Sequence, residues 1–331
     1  MKHLLLPLFF LLTTLVSAQP SLFDALHERG DTIDLRVETD WKKLIRNRRD
    51  KKWWPATFHL TAGDTTRVLP GKIRSRGNIR LEVCQNPSLK VKFKKKALLA
   101  AGFSDLNDWK IVLQCSSTAN GEQYLLREQF VYALHQVFSE HTHRLVPARL
   151  QPCTKENDQK DEIKAFLIES EEQLCARYEK GRVLAAKTAS THSLDRESYV
   201  NMCLFNYLVL NTDWAVFNLH NVEIIQPGNA EILIPIPYDF DYSGFVSTSY
   251  AVPQEQLDLT SVHLPYWLGH HVTEAEIRAG AAHFLARRDA ATALLNDHPR
   301  LSNYDRKRLT KRLEVFFELM ADERKLFRLI R

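Results

Sequence analysis

Asn211-Thr212-Asp213 follows a long apolar run and is itself followed, after Trp214-Ala215-Val216-Phe217, by Asn218, so a carboxylate and a carboxamide stand five positions apart. That is the spacing of a phosphoryl-transfer loop, in which the Asp accepts or orients the proton of an acceptor hydroxyl and the Asn holds a divalent cation. Further on, Tyr238-Asp239-Phe240-Asp241 follows a short apolar run, and in an extended segment its two acids share one face. Mg2+ takes one or two carboxylates and fills its octahedron with water and phosphate oxygens. Asn218 with Asp239, or with Asp241 as the competing choice, is therefore a minimal site for Mg2+ or Mn2+. Each residue alone has a plainer role: an Asx-turn for Asp213, and loop acids bonded to backbone for Asp239 and Asp241. The order of helix, Asp-x4-Asn, short strands and Asp-x-Asp is what favours chemistry.

The elements that must position these groups fall into two stretches. Short β-rich runs at 32–38, 56–61, 67–74 and 89–93 are separated by turn residues and one basic helical stretch. Residues 122–138 carry Leu125, Leu126, Phe130, Val131, Leu134 and Val137 at a period near 3.6, which predicts an amphipathic helix. Strand-like runs at 145–150 and 163–168 come next. A short helix at 171–178 and an almost wholly apolar helix at 198–210 follow, the latter delivering the chain to Asn211. Runs at 221–225 and 231–236 predict a strand pair, and the tail from residue 273 is helical. There is no internal repeat and no low-complexity linker. The pattern predicts an α+β chain of two lobes around a cleft, a sheet-rich one over 19–170 and a mainly helical one over 171–331.

Residues 1–18 have the form of a secretory leader: Lys2, an apolar stretch from 4 to 15, and Val16-Ser17-Ala18 before Gln19. The stretch is short for a membrane span and no later segment reaches 18 apolar residues. The expectation is an exported protein, periplasmic or secreted, without a transmembrane segment in the mature chain. The five cysteines (Cys84, Cys115, Cys153, Cys175, Cys203) allow at most two disulfides in such a compartment, and isolated buried thiols are the plainer alternative. A formal charge of +5 conceals local bias: 42–52 holds seven Lys/Arg against one Asp, and 90–96 holds five Lys. Both runs attract phosphate groups or are solvated faces. Zinc-finger, RNP and helix-turn-helix patterns are absent, so no nucleic-acid partner is expected.

Several strings bring the chain close to one family. Arg74-Ser75-Arg76-Gly77-Asn78, Leu89-Lys90-Val91-Lys92-Phe93, Leu125-Leu126-Arg127, Phe166-Leu167-Ile168-Glu169, Asn211-Thr212-Asp213 and Tyr238-Asp239-Phe240-Asp241 together resemble the CotH family of secreted and spore-coat proteins. The resemblance implies a two-lobed atypical protein-kinase-like fold. It implies Asp213 as the catalytic Asp, Asn218 and Asp239 as metal ligands with Asp241 competing, and Lys92, Arg76 and Glu169 as nucleotide contacts. Lys90, Lys92 and Lys94 share a strand face, and Glu122 or Glu128 would be the acidic partner. Lys164-Ala165-Phe166 and Tyr238 depart from the family's Gly-Xaa-Tyr and Trp.

The function expected from the resemblance is transfer of phosphoryl from ATP to a hydroxyl of an extracytoplasmic protein or glycan. The alternative is a catalytically silent binding or scaffold protein at the cell envelope, because ATP is scarce outside the cytoplasm. No Gly-x-Ser-x-Gly, His-Glu-x-x-His or Walker loop supports another enzyme class. His141, His143, His270 and His271 lack the companion ligands of a zinc site. Trp41, Trp53 and Trp54 flank the basic run and either pack in the core, stack a glycan or meet an anionic surface.

Overall fold

The structure, a computed structural model, describes residues 19–154, 161–179, 181–228 and 230–331; the leader expected over 1–18 lies outside them. Seven strands carry the first part: β1 (Ile33–Glu38), β2 (Trp54–Ala62), β3 (Thr65–Ser75), β4 (Leu89–Phe93), β5 (Asp108–Leu113), β6 (Leu145–Cys153) and β7 (Ile163–Glu169). Five helices lie among them: α1 (Leu22–Arg29), α2 (Trp41–Arg46), α3 (Ile79–Val83), α4 (Lys95–Ala100) and α5 (Ala119–Phe138). The remainder is α6 (Glu171–Ala176), β8 (Arg182–Val183), α7 (Arg196–Leu208), β9 (Val222–Gln226), β10 (Ile234–Pro237), α8 (Glu274–Leu285), α9 (Arg288–Asp297), α10 (Asn303–Met320) and α11 (Glu323–Leu329). No described helix is long and apolar enough to cross a membrane.

The expected two-lobed kinase-like fold, with a sheet-rich first lobe and a mainly helical second lobe, is overturned by the closure of the first sheet. The strands run β1-β2-β3-β4-β5-β7-β6 and return to β1, making a closed barrel. Every contact is antiparallel except the closing one, where β1 lies parallel to β6 from Ile33 opposite Ala148 to Glu38 opposite Cys153. Closure removes the unpaired edge that an open sheet leaves. The strand that sequence periodicity missed is β5. Its Asp-Trp-Lys-Ile-Val-Leu is buried along its whole length, and its polar–apolar alternation runs only from Asp108 to Ile111, too short a signal to mark a strand. Without β5 the sheet has no reason to close.

Inward residues fill the barrel by period two: Phe58, Phe93 and Trp109 meet edge to face at 4.9 and 4.7 Å, and Phe23 of α1 closes on Trp109 at 6.1 Å. Some outward residues of β5 and β7 are apolar too, although Lys110 and Lys164 share those faces. Val112, Phe166 and Ile168 join a second core built by α5, α7, α8 and α10, in which Phe138 stacks on Phe284 at 4.3 Å. Thus α5, which falls between two barrel strands in the chain, belongs by packing to the helical side. Sheet β10-β9-β8 flanks α7. A disulfide joins Cys84, after α3, to Cys115, after β5; Cys153, Cys175 and Cys203 are free.

Candidate active site

A cavity of about 530 Å³ opens where the barrel wall gives way to the helical side. Its barrel side is Lys110 and Val112 of β5, Ile168 of β7 and the segment from Arg76 to Arg80; its other side is Asp213, Asn218 to Asn221, Tyr238, Asp239, Asp241 and Tyr242. Of the residues picked from sequence, Asp213, Asn218, Asp239, Asp241 and Arg76 therefore share one cavity, although 137 positions separate Arg76 from Asp213.

The loop that carries Asp213 is built by α7. Asp195 caps that helix through Ser198 N, and ten of its residues are buried, so its C-terminal end is held rigidly. Leu210 then takes a left-handed conformation (φ 58°), and Asn211 Nδ2 donates to Asn206 Oδ1 at 2.8 Å. The Asp213 carboxylate meets His220 Nε2 at 2.8 Å and accepts from Asn221 Nδ2 at 2.9 Å. The bond to Asp213 raises the His220 pKa against its partial burial. Asn218 is exposed at the rim, its Oδ1 accepting from His220 N.

Asp239 differs from its acidic neighbours. It follows β10 with φ 62°, its N–H donating to Tyr132 Oη at 3.0 Å. Its half-buried carboxylate accepts no hydrogen bond from the described residues. Burial, and then Asp241, push its pKa up; Arg76 and Arg80 oppose them. Leu210, Leu219, Asn221 and Asp239 all have positive φ, a conformation that costs a non-glycine residue roughly 1–3 kcal/mol and gathers at functional sites.

Asp241, the competing choice of metal ligand, lines the same cavity but already has protein partners. Its Oδ2 accepts from Arg80 Nε at 3.0 Å and from Tyr250 Oη at 2.9 Å. Arg80 also donates to Glu128 of α5 at 2.5 Å, so a buried Glu–Arg–Asp bridge ties the barrel to the helical side. Burial lowers the Arg80 pKa, but Glu128 and Asp241 more than reverse this. In Glu128 burial wins and the pKa is raised. Glu128, one of two candidate acids on this helix, is thus the partner of Arg80 and of no lysine, while Glu122 pairs with Lys164 at 2.5 Å.

Two residues expected as nucleotide contacts, Lys92 and Glu169, lie outside the lining of this cavity. Lys92 lies on the outward face of β4, outside the cavity lining. The lysine that lines the cavity is Lys110, bonded to Glu223 at 2.9 Å. Sequence inspection missed it because it sits on β5, the unrecognised strand. Glu169 is wholly buried elsewhere, accepting from Arg144 N at 2.7 Å and Arg177 Nη1 at 2.7 Å; it positions the end of β7. Burial raises the Glu223 pKa, but His143 and Lys110 outweigh it and hold that carboxyl low. Arg80 and His220 were missed as well. Arg80 carried a faint signal, lying four positions beyond Arg76.

Among the described residues no group of three or more His, Cys, Asp or Glu is arranged to hold a metal ion. A cation here would have few protein ligands and depend on phosphate oxygens, as Mg2+ commonly does. Asp239, a hard oxygen donor without a protein partner beside excess acidic charge, and Asn218 across the cavity fit that role.

No protein-family model matches the chain, so membership of the CotH family is not shown, and no curated protein matches. A solved structure titled Helicobacter pylori proinflammatory kinase CtkA is similar over 72% of this chain and 90% of that one, with 9% identity and a TM-score of 0.39. The structural neighbour is a kinase. A likeness that loose transfers no chemistry to this cavity.

Proposed function

We propose that the chain is a phosphotransferase that moves the terminal phosphoryl of ATP, with Mg2+ or Mn2+, to a hydroxyl on an extracytoplasmic protein or glycan. The observation that carries this is the convergence of Asp213, Asn218 and the unpartnered Asp239 on a cavity that also holds Arg76 and Lys110. Phosphoryl transfer needs positioning and charge neutralisation more than covalent chemistry, and these side chains supply both. Asp213, held by His220 and Asn221, orients the acceptor hydroxyl and takes its proton. Arg76 and Lys110 face the phosphates. Asp239 and Asn218 would hold the cation, which when bound neutralises phosphate oxygens. The Cys84–Cys115 disulfide supports an oxidising compartment outside the cytoplasm.

Calorimetric titration of residues 19–331 with ATP and Mg2+ tests the proposal. Binding heat is expected from the parent and its loss from Asp239→Asn, with labelled phosphate transfer abolished by Asp213→Asn. No heat from the parent would overturn the reading in favour of a catalytically silent binding protein.

A further inference from the structure

The outward face of β3, β4 and β5 carries charge that the fold does not need. Inward Ile73, Val91 and Trp109 put Lys72, Arg74, Lys90, Lys92 and Lys110 on the opposite face. Register sets them in rows: Arg74 opposite Lys90 and Lys90 opposite Lys110, with Lys72 opposite Lys92. Like charges directly opposite one another destabilise a strand pair. Only part of this is neutralised. Lys90 pairs with Asp108 at 2.6 Å and Lys110 with Glu223, whereas Lys72, Arg74 and Lys92 have no ion-pair partner among the described residues. The buried Arg74 Nε also lacks a hydrogen-bond acceptor. At the outer end, Lys72 Nζ and Arg74 Cζ each lie 4.9 Å from the centre of the Trp53 ring; at the inner end, Lys110 lines the cavity.

We propose that this face is a docking track for an extended anionic glycan, running from Trp53 along the β3–β4–β5 rows to the cavity mouth. A row of cations in which Lys72, Arg74 and Lys92 are left unneutralised, with one end in the open and the other at a cavity, fits a chain that carries repeated negative groups. A lipid surface is flat and cannot follow the row inward to Lys110, which is only 7% exposed. Nucleic acid binds such grooves by stacking bases on aromatic faces, and the aromatic ring at this track already carries Lys72 and Arg74. An acidic peptide would gain most by adding a strand to a sheet edge, and the closed barrel has none. The inference stands apart from the phosphotransfer proposal, since it uses no group of the Asp213–Asp239 cavity other than Lys110 at its edge.

The test is fluorescence anisotropy of a labelled sulfated hexasaccharide with residues 19–331, beside an uncharged hexasaccharide of glucose, a single-stranded oligothymidylate and anionic phospholipid vesicles. Binding of the sulfated chain alone is expected, weakening as salt rises. Lys72→Glu should cut the affinity at least about tenfold, and Lys307→Glu, on an exposed position of α10, should not. Because Lys72→Glu turns a like-charge pair into an ion pair with Lys92, its Tm should rise while ATP–Mg2+ heats persist; a structural role alone would lower Tm instead. The inference is overturned if the sulfated chain fails to bind, if Lys307→Glu weakens it equally, if the oligothymidylate or vesicles bind as tightly, or if Lys72→Glu lowers Tm.

Discussion

Asp239 sets stability against function on a single backbone torsion. Its φ of 62° is natural for glycine and costs other residues free energy, less for Asp and Asn than for most. Asp239→Gly should therefore raise stability by about 1 kcal/mol while abolishing the ATP–Mg2+ heat; Asp239→Asn should lose the heat with little change in stability. Chemical denaturation beside calorimetry checks both. A glycine variant less stable than the parent would show that the carboxylate holds the loop and is no spare donor. Arg80 is the opposite case: it is fully engaged between Glu128 and Asp241, so its part is to position Asp241 and the loop beyond it.

The α3 segment depends on its tethers. A helix of five residues is too short to hold itself, yet the stretch from Arg76 to Arg80 forms one wall of the cavity. Besides the Arg80 bridge to Glu128 and Asp241 and the Arg49–Glu82 pair, it is held by the Cys84–Cys115 disulfide, by Arg48 Nη1 donating to Cys84 O at 3.0 Å and by Lys51 Nζ donating to Asn78 Oδ1 at 3.0 Å. The disulfide spans a sequence separation of 31, for which loop-closure entropy gives about 3–4 kcal/mol. Cys84→Ser with Cys115→Ser should lower the denaturation free energy by up to that amount and weaken ATP binding, because Arg76 loses its fixed bearing. Unchanged affinity in a destabilised double variant would mean that barrel strand β3 alone positions Arg76.

The barrel and the helical side are locked through α5, and a histidine there gives the whole molecule an acid limit. His135 is 2% exposed, packed at 4.4 Å on Phe205 of α7, and burial drives its pKa from 6.5 down to about 3. Its folded pKa is depressed, so below pH 6.5 the unfolded chain binds the proton that the folded one refuses. The stability contribution is complete above pH 6.5 and falls as pH drops toward 3, at up to about 1.4 kcal/mol per pH unit. His135→Leu should lose that slope, so that the difference between the two proteins' stability profiles carries it. Parallel profiles from pH 6.5 to 4 would show that His135 protonates freely in the folded state.

Local sequence determined the elements whose periodicity is one-sided. The helix predicted over 122–138 is α5 at Ala119–Phe138, and the run at 89–93 is β4 to the residue, because the apolar residues of each recur at the period of the element they form. It also marked Asp213, Asn218 and Asp239 by residue type and spacing. Tertiary structure alone decided what periodicity cannot express: that β5, buried on both faces, closes the strands into a barrel, and that α5 packs away from the strands flanking it in the chain. It likewise decided partners. Lys92 and Lys110 are both lysines on β-strands, and only the path of the barrel wall puts one in the cavity and the other on open surface. Glu169 and Asp241 are carboxylates like Asp239, but Arg144 and Arg177 engage the first and Arg80, from 161 positions away, engages the second.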